Sequence, residues 1–62
     1  MKIKVTFMDW NNVKHIVEVT PNMCEALENY RYDIDKLNVA FRYVERRYTE
    51  MTDLISLEII ER

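Results

Sequence analysis

Arg42, Arg46 and Arg47, with Lys36 and Tyr43 nearby, form the one dense basic cluster of the chain. On a helix, Arg42 and Arg46 lie four residues apart and share a face. Forked guanidiniums at that spacing can grip a phosphate backbone or the acidic surface of a protein partner. A solvated helix surface, favoured where cations sit near a helix C-terminus, accounts for the same residues. The other reactive side chains stand alone. His15 shares a strand face with Val13, Val17 and Val19 and has no Cys, Ser or second His beside it, so it reads as structural. Cys24 has no base partner and reads as a buried, inert thiol. Asp33 and Asp35 are two apart, hence on different helical faces, and do not make an acid–base pair. Trp10, beside Asp9, Asn11 and Asn12, is either an exposed indole of the kind enriched at binding hot spots or a lid over the end of the core. No catalytic residue, cofactor motif or metal site is expected, since one His and one Cys fall short of a four-ligand set.

These residues need elements to position them, and apolar patterning supplies the candidates. Ile3, Val5 and Phe7 alternate with Lys2, Lys4 and Thr6, which predicts a half-buried strand over residues 2–8. Residues 13–19 are β-branched and roughly alternating, so 2–19 reads as a hairpin. The chain has no glycine, so tight turns must use Asn or Asp where φ is positive, and Asn11-Asn12 can replace the missing glycine in this one. Thr20-Pro21-Asn22 then marks a helix start: Pro21 suits a first turn, Thr20 or Asn22 can cap it, and Asn22 with Glu25 has capping-box spacing.

From Met23 to Met51 apolar residues recur in 4-3-4-3 steps: Met23, Leu27, Tyr30, Ile34, Leu37, Phe41, Val44, Tyr48 and Met51. Read as one helix over residues 21–52, this stripe spans ~45 Å, against ~23 Å for a seven-residue strand. The hairpin covers half of it, and the overhang needs a second chain. The alternative is a break near Tyr32-Asp33-Ile34-Asp35, where two aspartates weaken helix propensity. Residues 53–60 fit a third strand, with Ile55, Leu57 and Ile59 on one side, or a short helix capped by Ser56. The expected fold class is α+β: a β-hairpin, one long amphipathic helix with heptad spacing, then a third strand (ββαβ), in a single domain over 1–62.

Composition favours assembly over chemistry. A chain of 62 residues buries only ~60% of its unfolded surface, yet 48% of its residues are apolar or aromatic. One cysteine excludes an internal disulfide, and oligomerisation is the remaining support. Net charge is −2, with a pI near 5.3, which does not mark a nucleic-acid binder. Residues 22–35 of the predicted helix carry a balance of −3 and residues 36–48 a balance of +3. That split complements the helix macrodipole and also suits an antiparallel partner helix. The expected partners are a second copy, through a seam of Tyr30, Ile34, Leu37, Phe41, Val44 and Tyr48, and a partner protein. Nucleic acid is less favoured, and no membrane span or signal peptide is read, so the cytoplasm is the expected location.

The hairpin, the charged helix ending in Arg46-Arg47, and the segment Ile55-Ser56-Leu57-Glu58 resemble short sigma-factor-like regulatory proteins of prophages and mobile elements in low-GC Gram-positive bacteria. In that family a small hairpin precedes an Arg-rich helix and an Ile-Ser-Leu-Asp/Glu segment. This chain differs in its acidic net charge and in having no helix-turn-helix after residue 56. The resemblance implies a regulatory protein without a DNA-reading part. The expected function is a non-catalytic interaction module, encoded by a phage or mobile element and acting as a dimer. The alternative is a small nucleic-acid-associated transcriptional regulator using Lys36, Arg42, Arg46 and Arg47.

Overall fold

A computed structural model describes residues 1–62. Strand β1 (Lys2–Asp9) is central, flanked by β2 (Lys14–Val19) and β3 (Met51–Glu61) in an antiparallel sheet of order β2-β1-β3. One α-helix, α1 (Asp33–Arg47), lies across one face. The expected α+β architecture in ββαβ order is therefore present. Alternation in β1 turns Ile3, Val5 and Phe7 onto the helix side, where all three are fully buried. They join Val19, Leu27, Ala40 and Val44 in a core of seven residues.

The hairpin turn is built from Asp9 and two asparagines. Asp9 N–H donates to Val13 O (3.0 Å) and Asn12 N–H to Asp9 O (3.0 Å). The Asp9 carboxylate accepts from the N–H groups of Asn11 (2.8 Å) and Val13 (3.0 Å). Asn12 adopts φ 60°, the left-handed conformation that the sequence had to reach without glycine. Asn12→Val is expected to cost about 1–2 kcal/mol in urea denaturation, and Asn12→Gly to cost nothing or stabilise.

The helix expected over residues 21–52 is shorter and broken. A single 3₁₀ turn occupies Glu25–Asn29, with Cys24 as its uncapped N-cap, so Asn22 and Glu25 form no capping box. Thr20 O instead accepts from the N–H groups of Met23 (3.0 Å) and Cys24 (2.9 Å). Tyr30 and Tyr32 are extended, with ψ 140° and 144°, and α1 starts at Asp33. Tyrosines are mediocre helix formers, while Asp33 and Asp35 are favourable in a first turn, where the dipole attracts carboxylates. The break also lets Leu27 fold back into the core, which a straight helix of ~45 Å could not do inside a molecule 35 Å long. At fifteen residues, α1 is ~22 Å long and matches the strands beneath it. The overhang that called for a second helix is absent.

Residues 51–61 are a strand, settling the choice left open by the sequence. Its register on β1 shifts three times, leaving Thr52, Ile55 and Ile60 as extra residues. Such bulges bend a strand and redirect side chains, and Ile55 and Ile60 accordingly point to solvent. Two ties hold the strand ends: Trp10 N–H donates to Glu50 O (3.1 Å), and the Arg62 guanidinium pairs both nitrogens with the Asp33 carboxylate (2.7 and 3.1 Å). The second tie keeps the Asp33 carboxyl below its ordinary range. No helix is long and apolar enough to cross a membrane.

Candidate functional site

Helix α1 divides its faces by spacing. Leu37, Ala40 and Val44 turn toward the sheet, while Val39, Arg42, Tyr43, Arg46 and Arg47 form an i, i+3, i+4, i+7, i+8 face beside them. The segment before the helix folds back alongside that face and brings Cys24, Ala26 and Tyr30 opposite it. The two walls flank an open cleft with a cavity volume of about 400 Å³. Its lining combines Cys24, Ala26 and Val39 with three arginines and two tyrosines. The Arg47 guanidinium lies over the Tyr43 ring, 5.4 Å from its centre.

The four ion pairs of the molecule involve Lys2, His15 and Arg62 as cations, so no carboxylate lies within 4.0 Å of Arg42, Arg46 or Arg47. Guanidinium forks match carboxylate and phosphate oxygens in pairs, and all three of these arginines are exposed to solvent. The cleft offers no His, Asp or Glu as acid or base. No three His, Cys, Asp or Glu side chains converge elsewhere.

Of the residues singled out in the sequence, Arg42, Tyr43, Arg46 and Arg47 are brought together here. Lys36 is not. Its ammonium donates to Leu27 O (3.0 Å) and to Tyr30 O, satisfying carbonyls exposed by the break before α1. Lys36→Met is expected to cost about 0.5–1.5 kcal/mol by removing the donor to those carbonyls, and to loosen the Tyr30 wall of the cleft. Thermal unfolding measures the first effect and Tyr30 amide exchange the second. Trp10 stays exposed at the hairpin tip rather than closing the core, and it does not line the cleft.

The six residues of the expected seam divide. Val44 is buried, Leu37 packs on the core, Phe41 is half-buried, and Tyr48 tilts over Phe7 with ring centres 5.4 Å apart. Tyr30 and Ile34 remain exposed. Cys24, Ala26 and Val39 were missed as cleft residues. Val39 follows from helical spacing with Arg42 and Tyr43, whereas Cys24 and Ala26 arrive only through the chain reversal.

A second cluster sits under the hairpin tip. His15 packs within the fold: its ring stacks on Phe7 at 4.8 Å, and its Nε2 donates to the Asp9 carboxylate at 2.8 Å. The His15 hydrogen bond, then the Val13 N–H, hold the Asp9 carboxyl below its ordinary value of 3.8. A carboxyl depressed in the folded state adds stability above its unfolded pKa, and this is lost as pH falls through the lower folded value. Wild-type urea stability should therefore drop below pH 3.8 more steeply than that of Asp9→Asn, which keeps only the contribution of Asp33. Equal slopes in the two proteins would contradict a stabilising Asp9–His15 pair.

Comparison with known proteins finds no matching family model, no matching curated protein and no matching solved structure.

Proposed function

We propose that the chain is a non-catalytic protein–protein interaction module that docks an acidic segment of a partner protein into the three-arginine cleft. The observation that carries this reading is the cleft itself: Arg42, Arg46 and Arg47 line it and have no carboxylate partner within the chain. Cationic side chains held together without a counter-ion repel one another, and an anionic guest relieves that repulsion. A volume of about 400 Å³ admits one or two side chains rather than a helical duplex. The apolar lining residues Ala26 and Val39 reward a guest with an aliphatic stem behind its carboxylate. A regulatory role in the cytoplasm agrees with the likeness to short sigma-factor-like regulators and with the free Cys24.

Nucleic acid is the second reading, favoured by the same arginines but opposed by eleven carboxylates and a net charge of −2. Fluorescence anisotropy separates the two. A short labelled glutamate-rich peptide should bind saturably and lose binding in the Arg42→Glu, Arg46→Glu variant. Duplex DNA that binds under conditions where the peptide does not would overturn the protein-partner reading.

A further inference from the structure

We infer that the outer edge of β2 joins the same edge of a second copy, producing a two-fold dimer with a continuous six-stranded sheet. This interface is separate from the arginine cleft and does not rest on it.

The backbone fixes which groups are available. Asp9 and Val13 are paired through Asp9 N–H and Val13 O, and the β1–β2 register runs without a shift from Met8↔Lys14 to Ile3↔Val19. Antiparallel pairs alternate between hydrogen-bonded and non-hydrogen-bonded, so His15 and Val17 direct their backbone groups to β1. Lys14, Ile16 and Glu18 direct theirs outward. No turn, loop or side-chain hydrogen bond occupies those outward groups. Their side chains lie on the sheet face away from α1, beside Met8, Thr6 and Lys4 of β1.

The order Lys14, Ile16, Glu18 is self-complementary about its centre. A two-fold axis through Ile16 sets Ile16 against the partner's Ile16 and Lys14 against the partner's Glu18, and repeats that ion pair on the other side. About six backbone hydrogen bonds close the ladder, two for each pair. Other registers fail. An axis at Lys14 or at Glu18 opposes like charges, and the registers between them place a charge against Ile16. Like charges directly opposite are unfavourable in a sheet, while opposite charges and apolar pairs are favourable.

Exposure points the same way. Ile16 is 59% exposed at the centre of an edge strand, an arrangement that invites pairing with another chain. The same axis brings the hairpin tip, with Trp10 (68% exposed) and Val13 (50%), alongside the partner's residues 20–23, where Met23 is 45% exposed. The other outer strand is guarded: β3 carries Asp53, Glu58 and Glu61 with no basic residue, and three register shifts distort it. Self-pairing there would bring carboxylates together.

Sedimentation equilibrium at sub-millimolar concentration should give twice the 7.6 kDa chain mass. Lys14→Glu and Glu18→Lys should each weaken association by about tenfold or more, since both symmetry-related pairs become repulsive. An equimolar mixture of the two variants should recover a dimer, because each chain then presents the charge the other lacks. In a Cys24→Ser background, the two Ile16→Cys thiols should be joined by a short bis-thiol cross-linker, since partner Cα atoms in a hydrogen-bonded pair lie ~5.5 Å apart. A wild-type monomer overturns the inference. So does a dimer that the mixture does not rescue or that Ile16→Cys does not cross-link, even with circular dichroism unchanged.

Discussion

Replacing Phe7 with alanine is expected to cost the domain about 3–5 kcal/mol, a large share of its total stability. Phe7 is fully buried on the central strand, and its ring stacks on His15 and meets Tyr48. Removing such a ring costs about 3–5 kcal/mol, from lost transfer energy and from the cavity left behind. A chain of 62 residues at ~0.05–0.15 kcal/mol per residue has roughly 3–9 kcal/mol in total. The core has only seven members, so no neighbouring layer can collapse into the gap. Urea titration followed by circular dichroism measures the loss. A cost below ~1 kcal/mol would mean that Phe7 does not hold α1, β1 and β2 together.

The second large effect is on binding. Arg42→Glu with Arg46→Glu should weaken docking of an acidic peptide by at least about 100-fold. A hydrogen bond to a charged group contributes roughly 1.5–3 kcal/mol, and each 1.4 kcal/mol is a tenfold change, so two such contacts account for it. Both residues are exposed, and the fold should survive. Carboxylates near the C-terminus of α1 oppose the macrodipole at about 0.3–1 kcal/mol each, well inside the expected stability. A matched variant, Lys14→Glu with Arg31→Glu, makes the same change in net charge at two exposed residues that neither line the cleft nor form an ion pair. It should leave peptide binding within about threefold of wild type, because exposed charges beyond ~10 Å are largely screened. Equal losses in the two variants would assign binding to overall charge.

The hairpin was legible because Ile3, Val5 and Phe7 alternate strictly and because Asn11-Asn12 can replace glycine in the turn. Helical spacing likewise foretold that Arg42 and Arg46 share a face. The run from Met23 to Tyr30 was misleading, since 4-3 spacing does not distinguish a helix from a folded-back turn. Of Met23, Leu27 and Tyr30, only Leu27 is buried. The informative signs were local: Tyr30-Arg31-Tyr32 is a weak helical stretch, and Asp33 and Asp35 are first-turn residues rather than mid-helix ones. The cleft needed that break. Cys24, Ala26 and Tyr30 face the arginines only because the chain reverses before α1, and Lys36 leaves the basic cluster to hold the reversal. Asp9 read as a turn residue alone, since its bond to His15 depends on the hairpin register.

The central claim is that the three-arginine cleft receives an acidic protein segment. It is tested most directly by titrating a ¹⁵N-labelled chain with an unlabelled glutamate-rich peptide and following arginine side-chain and backbone amide signals. Saturable shifts should concentrate at the Nε–H groups of Arg42, Arg46 and Arg47 and at the amides of Cys24, Ala26 and Tyr30, and the bound peptide should slow alkylation of Cys24. Shifts that do not saturate, or that gather at Lys2, Lys4 and Lys14 while the cleft stays silent, would contradict the claim.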